Sequence, residues 1–108
     1  MIDKHPAGSI IALIATLFAV EAPAQELGDA KRGLVIAQMT CAQCHSIRKG
    51  ELRSRNGQAP TFVGLATTPG MTPLALRVAL RTPHREMPNL VLKNDEIDDI
   101  GAYIESLK

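Results

Sequence analysis

Apolar residues recur at helical spacing along the chain, and no stretch shows the strict alternation that is typical of a half-buried strand. In the first such stretch, small and apolar residues lie at positions i, i+3, i+4 and i+7, namely Gly33, Ile36, Ala37 and Thr40. Asp29 precedes them and belongs to the residue types favoured at helix N-caps. The pattern predicts a helix over residues 30–39, and its face of small residues permits close approach of a second helix.

Two further helices are predicted toward the carboxyl end of the chain. Thr72 is a suitable N-cap and Pro73 suits the first helical position, so a helix is predicted over residues 74–81. Pro83 should end it, because proline cannot continue a helix. The last helix is predicted to begin at Asn94, where acidic residues follow at once and favour the positive end of the helix dipole. Its apolar residues form one stripe, made of Ile97, Ile100, Ile104 and Leu107.

The segment between the first two predicted helices has the composition of a loop. Residues 46–61 are polar and basic, contain glycine, and show neither helical nor alternating periodicity. The sequence contains no internal repeat, interdomain linker or second domain. The predicted fold class is therefore all-α, in a single domain.

Residues 1–24 have the features of a secretory signal peptide. Lys4 gives a weakly basic start, residues 10–20 form a run of eleven small and apolar residues, and an A-x-A site follows. We therefore expect cleavage after Ala24, a mature domain over residues 25–108, and location in the periplasm. An uncleaved membrane anchor is the alternative, but a helical span needs roughly 18 to 20 apolar residues. We expect no membrane span in the mature chain.

Few aromatic side chains remain for a hydrophobic core in the mature chain. Among its roughly 84 residues only Phe62 and Tyr103 are aromatic, because Phe18 belongs to the signal segment. A core of that size is marginal without a disulfide, a metal or another staple. A large, flat apolar cofactor would supply the missing volume.

The charge of the mature chain is small but unevenly distributed. Cleavage leaves eleven Lys and Arg against nine Asp and Glu, which is near +2. This excess is too weak to indicate nucleic-acid binding, and no stacking aromatics are interleaved with the basic residues. Basic residues cluster over residues 48–55, whereas acidic residues cluster over residues 95–99. We therefore expect the molecule to be a dipole.

The most specific feature is a Cys-x-x-Cys-His run that contains Cys41, Cys44 and His45. Two thiols at this spacing can each add to a vinyl group of one haem, while the adjacent imidazole meets the iron. A thioredoxin-like redox pair is one alternative, but that motif needs a strand-helix-strand setting, which the predicted helices do not provide. A zinc site is another, and the mature chain has only two Cys and two His, with His84 far downstream. The run therefore indicates covalent attachment of one haem c.

Four segments with family-like motifs follow one another through nearly the whole mature chain. They are residues 28–45, 59–62, 83–90 and 96–104. In this order they resemble the small bacterial class I c-type cytochromes, which carry one haem with His and Met as iron ligands and receive it outside the cytoplasm. The resemblance implies a cytochrome c fold. Three to four helices and loops would wrap around one covalent haem, with the N-terminal and C-terminal helices crossing.

The resemblance also implies roles for five residues. Cys41 and Cys44 would form the two thioether bonds to the haem, and His45 would be one axial ligand of the iron. Met87, which is followed by proline as in the ligand loop of the family, would be the other axial ligand. The carbonyl oxygen of Pro60 would accept a hydrogen bond from the other imidazole nitrogen of His45. The alternative for Pro60 is that it only shapes a turn.

Three other side chains compete for the second axial position. Met71 lies in a Pro-Gly-Met-Thr-Pro turn that could reach the iron. Met39 is only two residues from Cys41, so the chain cannot easily carry it to the opposite haem face. His84 lies three residues before Met87, and a bis-His haem would have a lower reduction potential. A solvated side chain is the usual explanation for such a loop histidine.

The predicted helix crossing has one feature that agrees with the family and one that departs from it. Gly33 matches the glycine at the crossing, and Ile100 and Tyr103 are expected to face it. Ala37 stands where many relatives carry an aromatic residue that packs on the last helix. A contact worth roughly 0.5 to 1.5 kcal/mol is therefore missing.

Arg77 and Arg81 lie one turn apart on the polar stripe of the helix predicted over residues 74–81. Like charges at this spacing are mildly unfavourable, so something should compensate them. A solvated face is the plain interpretation, and contact with haem propionates is the alternative.

The expected function is electron transfer. With His45 and Met87 both bound to the iron, no position would be open to a substrate, so we do not expect an enzyme. The expected partners are redox proteins with an acidic docking patch, a dehydrogenase as donor and another cytochrome or an oxidase as acceptor. The protein is expected to be a monomer or to form transient complexes. The alternative is a haem protein whose displaceable Met87 permits gas binding or peroxidase-like chemistry.

Overall fold

The computed structural model describes residues 28–82 and 86–108, together with the isolated positions 2, 3, 8 and 19. These residues form four α-helices and one π-helical turn, namely α1 (Ala30–Ile36), the π-turn (Ala37–Cys41), α2 (Phe62–Thr67), α3 (Pro73–Arg81) and α4 (Asn94–Glu105). No strand occurs among the described residues, so the all-α prediction is confirmed for them. The signal segment predicted over residues 1–24 lies outside the described residues, apart from those isolated positions. The described helices include none long and apolar enough to cross a membrane.

The first helical run begins where the sequence predicts it and ends later than predicted. Asp29 caps α1, because its Oδ1 accepts hydrogen bonds from two backbone N–H groups of the first turn, at 2.9 and 3.2 Å. The π-turn then carries the run beyond residue 39 to Cys41. Within it the N–H of Ala42 donates to the carbonyl oxygen of Ala37, five residues earlier, at 2.9 Å. Such turns often occur at functional sites, and this one leads directly into the Cys-x-x-Cys-His run.

Helix α2 was not predicted, although the loop before it was. Residues 46–61 contain no helix or strand, as their composition indicates. The Oγ1 of Thr61 then accepts a hydrogen bond from the N–H of Gly64 at 3.0 Å and caps α2. With six residues, α2 is too short to show a helical period, so only its cap and the apolar residues after it could have signalled it.

Helices α3 and α4 begin at their predicted positions. The Oγ1 of Thr72 accepts a hydrogen bond from the N–H of Ala75 at 3.1 Å, and Pro73 occupies the first turn of α3. Helix α4 begins at Asn94, and the N–H of Lys93 donates to the carboxylate of Glu96 at 2.8 Å. The predicted end of α3 at Pro83 lies outside the described residues, and α3 ends at residue 81 within them.

Helices α1 and α4 pack in direct backbone contact at Gly33. A Cβ atom placed on this glycine would lie 2.8 Å from the Cβ of Tyr103, and closer still to the carbonyl oxygen of Asp99. Two helices can approach this closely only where one of them has no side chain. The neighbours of Gly33 are therefore Tyr103, as expected, and Asp99, whereas Ile100 is not among its three nearest contacts.

A buried carboxylate reinforces this contact. Asp99 is 3% exposed, and its Oδ1 accepts hydrogen bonds from the N–H of Asp29 at 2.7 Å and from a terminal guanidinium nitrogen of Arg32 at 3.3 Å. The Nε of Arg32 forms an ion pair with its Oδ2 at 3.1 Å. A buried charge needs such partners, because removal from water without them is costly. The amino end of α1 is thereby attached to the middle of α4.

Three further contacts attach other parts of the chain to α4. The hydroxyl of Tyr103 donates to the carbonyl oxygen of Ile47 at 2.6 Å, within the core. Arg77 is half-buried and forms an ion pair with Asp98, whereas Arg81 is exposed and donates to the side chain of Asn94. The charge of Arg77 is thus compensated by Asp98 of α4, and the solvated face predicted for the arginine pair is wrong for Arg77.

Candidate cofactor-binding site

A single cavity of about 370 Å³ collects most of the residues that the sequence singles out. Its size falls within the roughly 300 to 1,000 Å³ that is typical of pockets for organic ligands. The predicted site residues on its wall are Cys41, Cys44, His45, Pro60 and Met87. Apolar side chains from three helices complete the wall, among them Phe62, Leu65, Leu76, Leu80, Ile100 and Ile104. The cavity therefore suits a large apolar ligand that the protein holds at a few polar attachment points.

The two cysteines are brought together by the turn that follows the π-turn. The N–H groups of Cys44 and His45 both donate to the carbonyl oxygen of Cys41, at 3.1 and 2.9 Å. Cys41 is buried and Cys44 is half-buried, and both are free thiols. Two thiols and an imidazole are thus held on one tight turn at the cavity wall, which is the arrangement that covalent attachment of a haem needs.

The surroundings of Cys41 do not favour a reactive thiolate. Burial raises the pKa of the Cys41 thiol from 9.0 to about 11. The residue also lies at the carboxyl end of a helical turn, whose dipole disfavours negative charge. Redox-active Cys-x-x-Cys pairs have the opposite arrangement, with a lowered thiol pKa at a helix amino end. These observations speak against a thioredoxin-like role for the pair.

The orientation of the His45 imidazole is set by Pro60. The Nδ1 of His45 lies 2.7 Å from the carbonyl oxygen of Pro60. Because a carbonyl oxygen can only accept, Nδ1 must carry a proton, and in the neutral imidazole this leaves the lone pair of Nε2 available for a metal. No hydrogen-bond partner of Nε2 occurs among the described residues. The ring of Phe62 packs against the imidazole with centroids 5.7 Å apart. The donor set thus fits a haem iron bound through Nε2, although that ligation remains a prediction.

The loop that carries Pro60 is fastened to the cysteine turn at two points. The N–H of Asn56 donates to the carbonyl oxygen of Cys44 at 3.1 Å, and the N–H of Phe62 donates to that of Ser46 at 2.8 Å. The hydroxyl of Ser46, which is buried, donates in turn to Glu51. These contacts hold the Pro60 carbonyl in place, and sequence analysis did not identify them, because the loop has no periodic pattern.

Two methionines line the cavity. Met71, in the turn between α2 and α3, and Met87 are both half-buried and both contribute to its wall. Met39 is 75% exposed and is not on the wall. His84 lies outside the described residues. The assignment of Met87 as second axial ligand stays a prediction, and the alternative that competes with it within the described residues is Met71.

The apolar wall includes residues to which sequence analysis gave no role at the site. Ile100 and Ile104 belong to the predicted stripe of α4, and Leu76 and Leu80 are their counterparts on α3. The helical period of the sequence reveals the apolar stripe of α4, but it does not reveal that the stripe lines a cavity. Arg77 and Arg81 are not part of this wall.

The described residues contain no group of three or more His, Cys, Asp or Glu side chains that could surround a metal ion. A structural zinc site would require four such ligands in tetrahedral arrangement.

Comparisons with known proteins give no further guide to the site. The chain matched no family model, no curated protein and no solved structure.

Proposed function

We propose that the chain is a c-type cytochrome that carries single electrons between redox proteins. The observation that carries the proposal is the shared cavity. Both cysteines, His45 and Met87 line one apolar space, and the imidazole of His45 is oriented by the carbonyl of Pro60. Among the described residues, no other surface brings two thiols, an oriented imidazole and a thioether together in one apolar wall.

In this proposal different side chains have different roles in holding haem c. Cys41 and Cys44 would be the points of covalent attachment, and His45 and Met87 would be the side chains that hold the iron. When bound, the haem supplies a metal centre that accepts and releases one electron. The apolar side chains of α2, α3 and α4 exclude water from it, and the fixed imidazole limits rearrangement on electron transfer.

The proposal includes the cytochrome c fold and the absence of catalysis. The contact of α1 with α4 at Gly33 supports the crossing of terminal helices that the resemblance implies. Two axial ligands from the protein would leave no iron position for a substrate. We therefore propose an electron carrier and not an enzyme, although the chain could serve as the partner of one.

The location and the partners are part of the same proposal. Thioether attachment outside the cytoplasm agrees with a signal peptide over residues 1–24 and a periplasmic mature chain. Basic side chains at residues 48–55 are exposed next to the cysteine turn and would attract an acidic surface on the partner. Attraction of this kind speeds the encounter without requiring tight binding.

Absorption spectra of the haem-loaded protein test the proposal. The oxidised protein should show the sulfur-to-iron band of a bound Met, and the reduced protein should not change on addition of carbon monoxide. A reduced spectrum that responds to carbon monoxide would instead favour the gas-binding or peroxidase-like alternative, with Met87 displaced. A Met39→Ala variant serves as control, because Met39 is exposed and lies outside the cavity wall.

A further inference from the structure

A second, polar cavity shares His45 with the first. It has a volume of about 200 Å³, and its wall includes His45, Gln38, Arg48, Glu51, Arg53 and Arg55. His45 therefore lies between an apolar cavity and one whose wall includes three arginines, all of them exposed. None of the three arginines has a role in the attachment of a haem as described above.

The three arginines of this cavity have no ion-pair partner in the described part of the chain. Two other arginines do, since Arg32 pairs with Asp29 and Asp99, and Arg77 pairs with Asp98. The acidic member of the cavity is Glu51, and its Oε2 accepts a hydrogen bond from the buried hydroxyl of Ser46 at 3.0 Å. Three positive charges therefore face one negative charge that already has a hydrogen-bond donor.

Such a cavity has the chemistry of an oxyanion site. Guanidinium groups donate paired, charge-assisted hydrogen bonds to phosphate and carboxylate oxygens. The volume is below the roughly 300 Å³ at which pockets begin to enclose drug-sized molecules, so a single tetrahedral anion fits better than a nucleotide. A dianion would also offset more of the positive charge than a monovalent anion would.

We propose that the cavity formed by Arg48, Arg53 and Arg55 binds a small oxyanion of the phosphate class next to His45. Binding itself depends only on the arginines. A second consequence rests on the proposed function, because an anion beside His45 stabilises the more positive, oxidised iron. Phosphate should then bind more tightly to the oxidised protein and lower the reduction potential, by about 59 mV for each factor of ten between the two affinities.

Binding is tested first, on the full mature protein in its reduced form. Inorganic phosphate is titrated against chloride at constant ionic strength, and amide chemical shifts are followed by NMR. Saturable shifts should be confined to the neighbourhood of residues 48–55. Arg53→Gln and Arg55→Gln should each weaken phosphate binding about two- to fivefold, and the double variant should abolish saturation. Lys31→Gln, which removes an exposed charge outside the cavity, should leave the affinity unchanged.

The titration distinguishes a specific phosphate site from nonspecific attraction of anions to the basic surface. Linear shifts without saturation, or equal weakening by Lys31→Gln and by the arginine variants, would overturn the proposal. Sulfate is a second probe of the same geometry, and it should compete with phosphate for the cavity.

The reduction potential is then measured with and without phosphate at constant ionic strength. A decrease in the parent protein that the double variant lacks supports coupling through His45. An unchanged potential despite saturable binding would overturn the coupling and leave the proposed function intact. If the protein carries no covalent haem, the proposed function fails, and the NMR titration of the haem-free chain still decides whether the oxyanion site exists.

Discussion

Replacement of Gly33 by alanine tests the contact on which the fold depends. The added methyl group would lie 2.8 Å from the Cβ of Tyr103, and nearer than that to the backbone carbonyl of Asp99. A flexible side chain could move away, but a carbonyl within α4 cannot move without displacing the helix. The two helices must therefore separate, and the buried side chains of Ala37 and Ile100 lose part of their packing.

The size of the effect follows from two opposing contributions. Overpacking of a closely packed site costs up to about 3 kcal/mol, and an obstacle made of backbone atoms favours the upper end of that range. Alanine is better than glycine within a helix by about 1 kcal/mol, which offsets part of the loss. We therefore expect Gly33→Ala to lower the free energy of unfolding by about 2 kcal/mol. For a domain of this size that is a decrease in Tm of roughly 8 to 16 °C.

Thermal unfolding of the haem-loaded protein, followed by far-UV circular dichroism, measures this change. Gly101→Ala is the matched control, because Gly101 lies within α4 and its added methyl group would meet Leu76 at an ordinary 3.6 Å. The control should keep or raise the Tm, since it gains helix propensity without a clash. A Gly33→Ala protein as stable as Gly101→Ala would refute the close contact of α1 with α4.

Four further predictions concern the core, the cysteine turn, the iron ligands and the docking surface. Tyr103→Phe leaves the buried carbonyl of Ile47 without its donor and should cost about 1 to 3 kcal/mol in chemical denaturation, and an unchanged midpoint would contradict the role of that bond. Burial raises the pKa of the Cys41 thiol from 9.0 to about 11, so in the haem-free protein this thiol should be alkylated at pH 8 roughly a hundredfold more slowly than an ordinary thiol. The rate should rise with pH up to that value, and alkylation as fast as that of an unfolded control would show that Cys41 is not buried. Met87→Ala should keep the covalent haem, lower its potential and make the reduced spectrum respond to carbon monoxide, whereas Met71→Ala should not; the reverse result would transfer the axial role to Met71. Electron delivery to an acidic partner should slow as ionic strength rises, and rates that stay constant from low to high salt would exclude electrostatic steering.

The elements that sequence predicted correctly have local causes. Thr72 with Pro73 begins α3, and Asp29 begins α1, because each cap forms hydrogen bonds within its own first turn. The apolar stripe of α4 is likewise readable, since burial on one face of a long helix produces a helical period. Such features depend on neighbours three or four residues away, which a sequence contains directly.

The features that sequence missed depend on residues far apart or on very short segments. Helix α2 spans less than two turns, so it leaves no period, and the π-turn differs from an α-helix by one residue of register. The hydrogen bond from the N–H of Asp29 to the carboxylate of Asp99 joins residues 70 positions apart, and nothing in their spacing predicts it. The hydrogen bond between His45 and Pro60 was expected from a family resemblance. The residues alone were also compatible with Pro60 only shaping a turn.

The candidate site likewise has parts that the sequence predicts and parts that it does not. The chemistry of Cys41, Cys44 and His45 can be read from five consecutive residues, because one tight turn holds all three. The cavity around them could not be predicted, since its wall comes from three helices and several loops that meet only in the folded chain. The arginine cavity behind His45 was visible in sequence only as a run of positive charge.

Whether Cys41 and Cys44 hold one haem covalently is decided by the intact mass of the mature protein after expression in a host that attaches c-type haem. The mass should equal that of the chain from residue 25 onward plus one haem, and it should not change on treatment with a disulfide reductant. A mass equal to the chain alone, with two free thiols or one disulfide, would contradict covalent attachment.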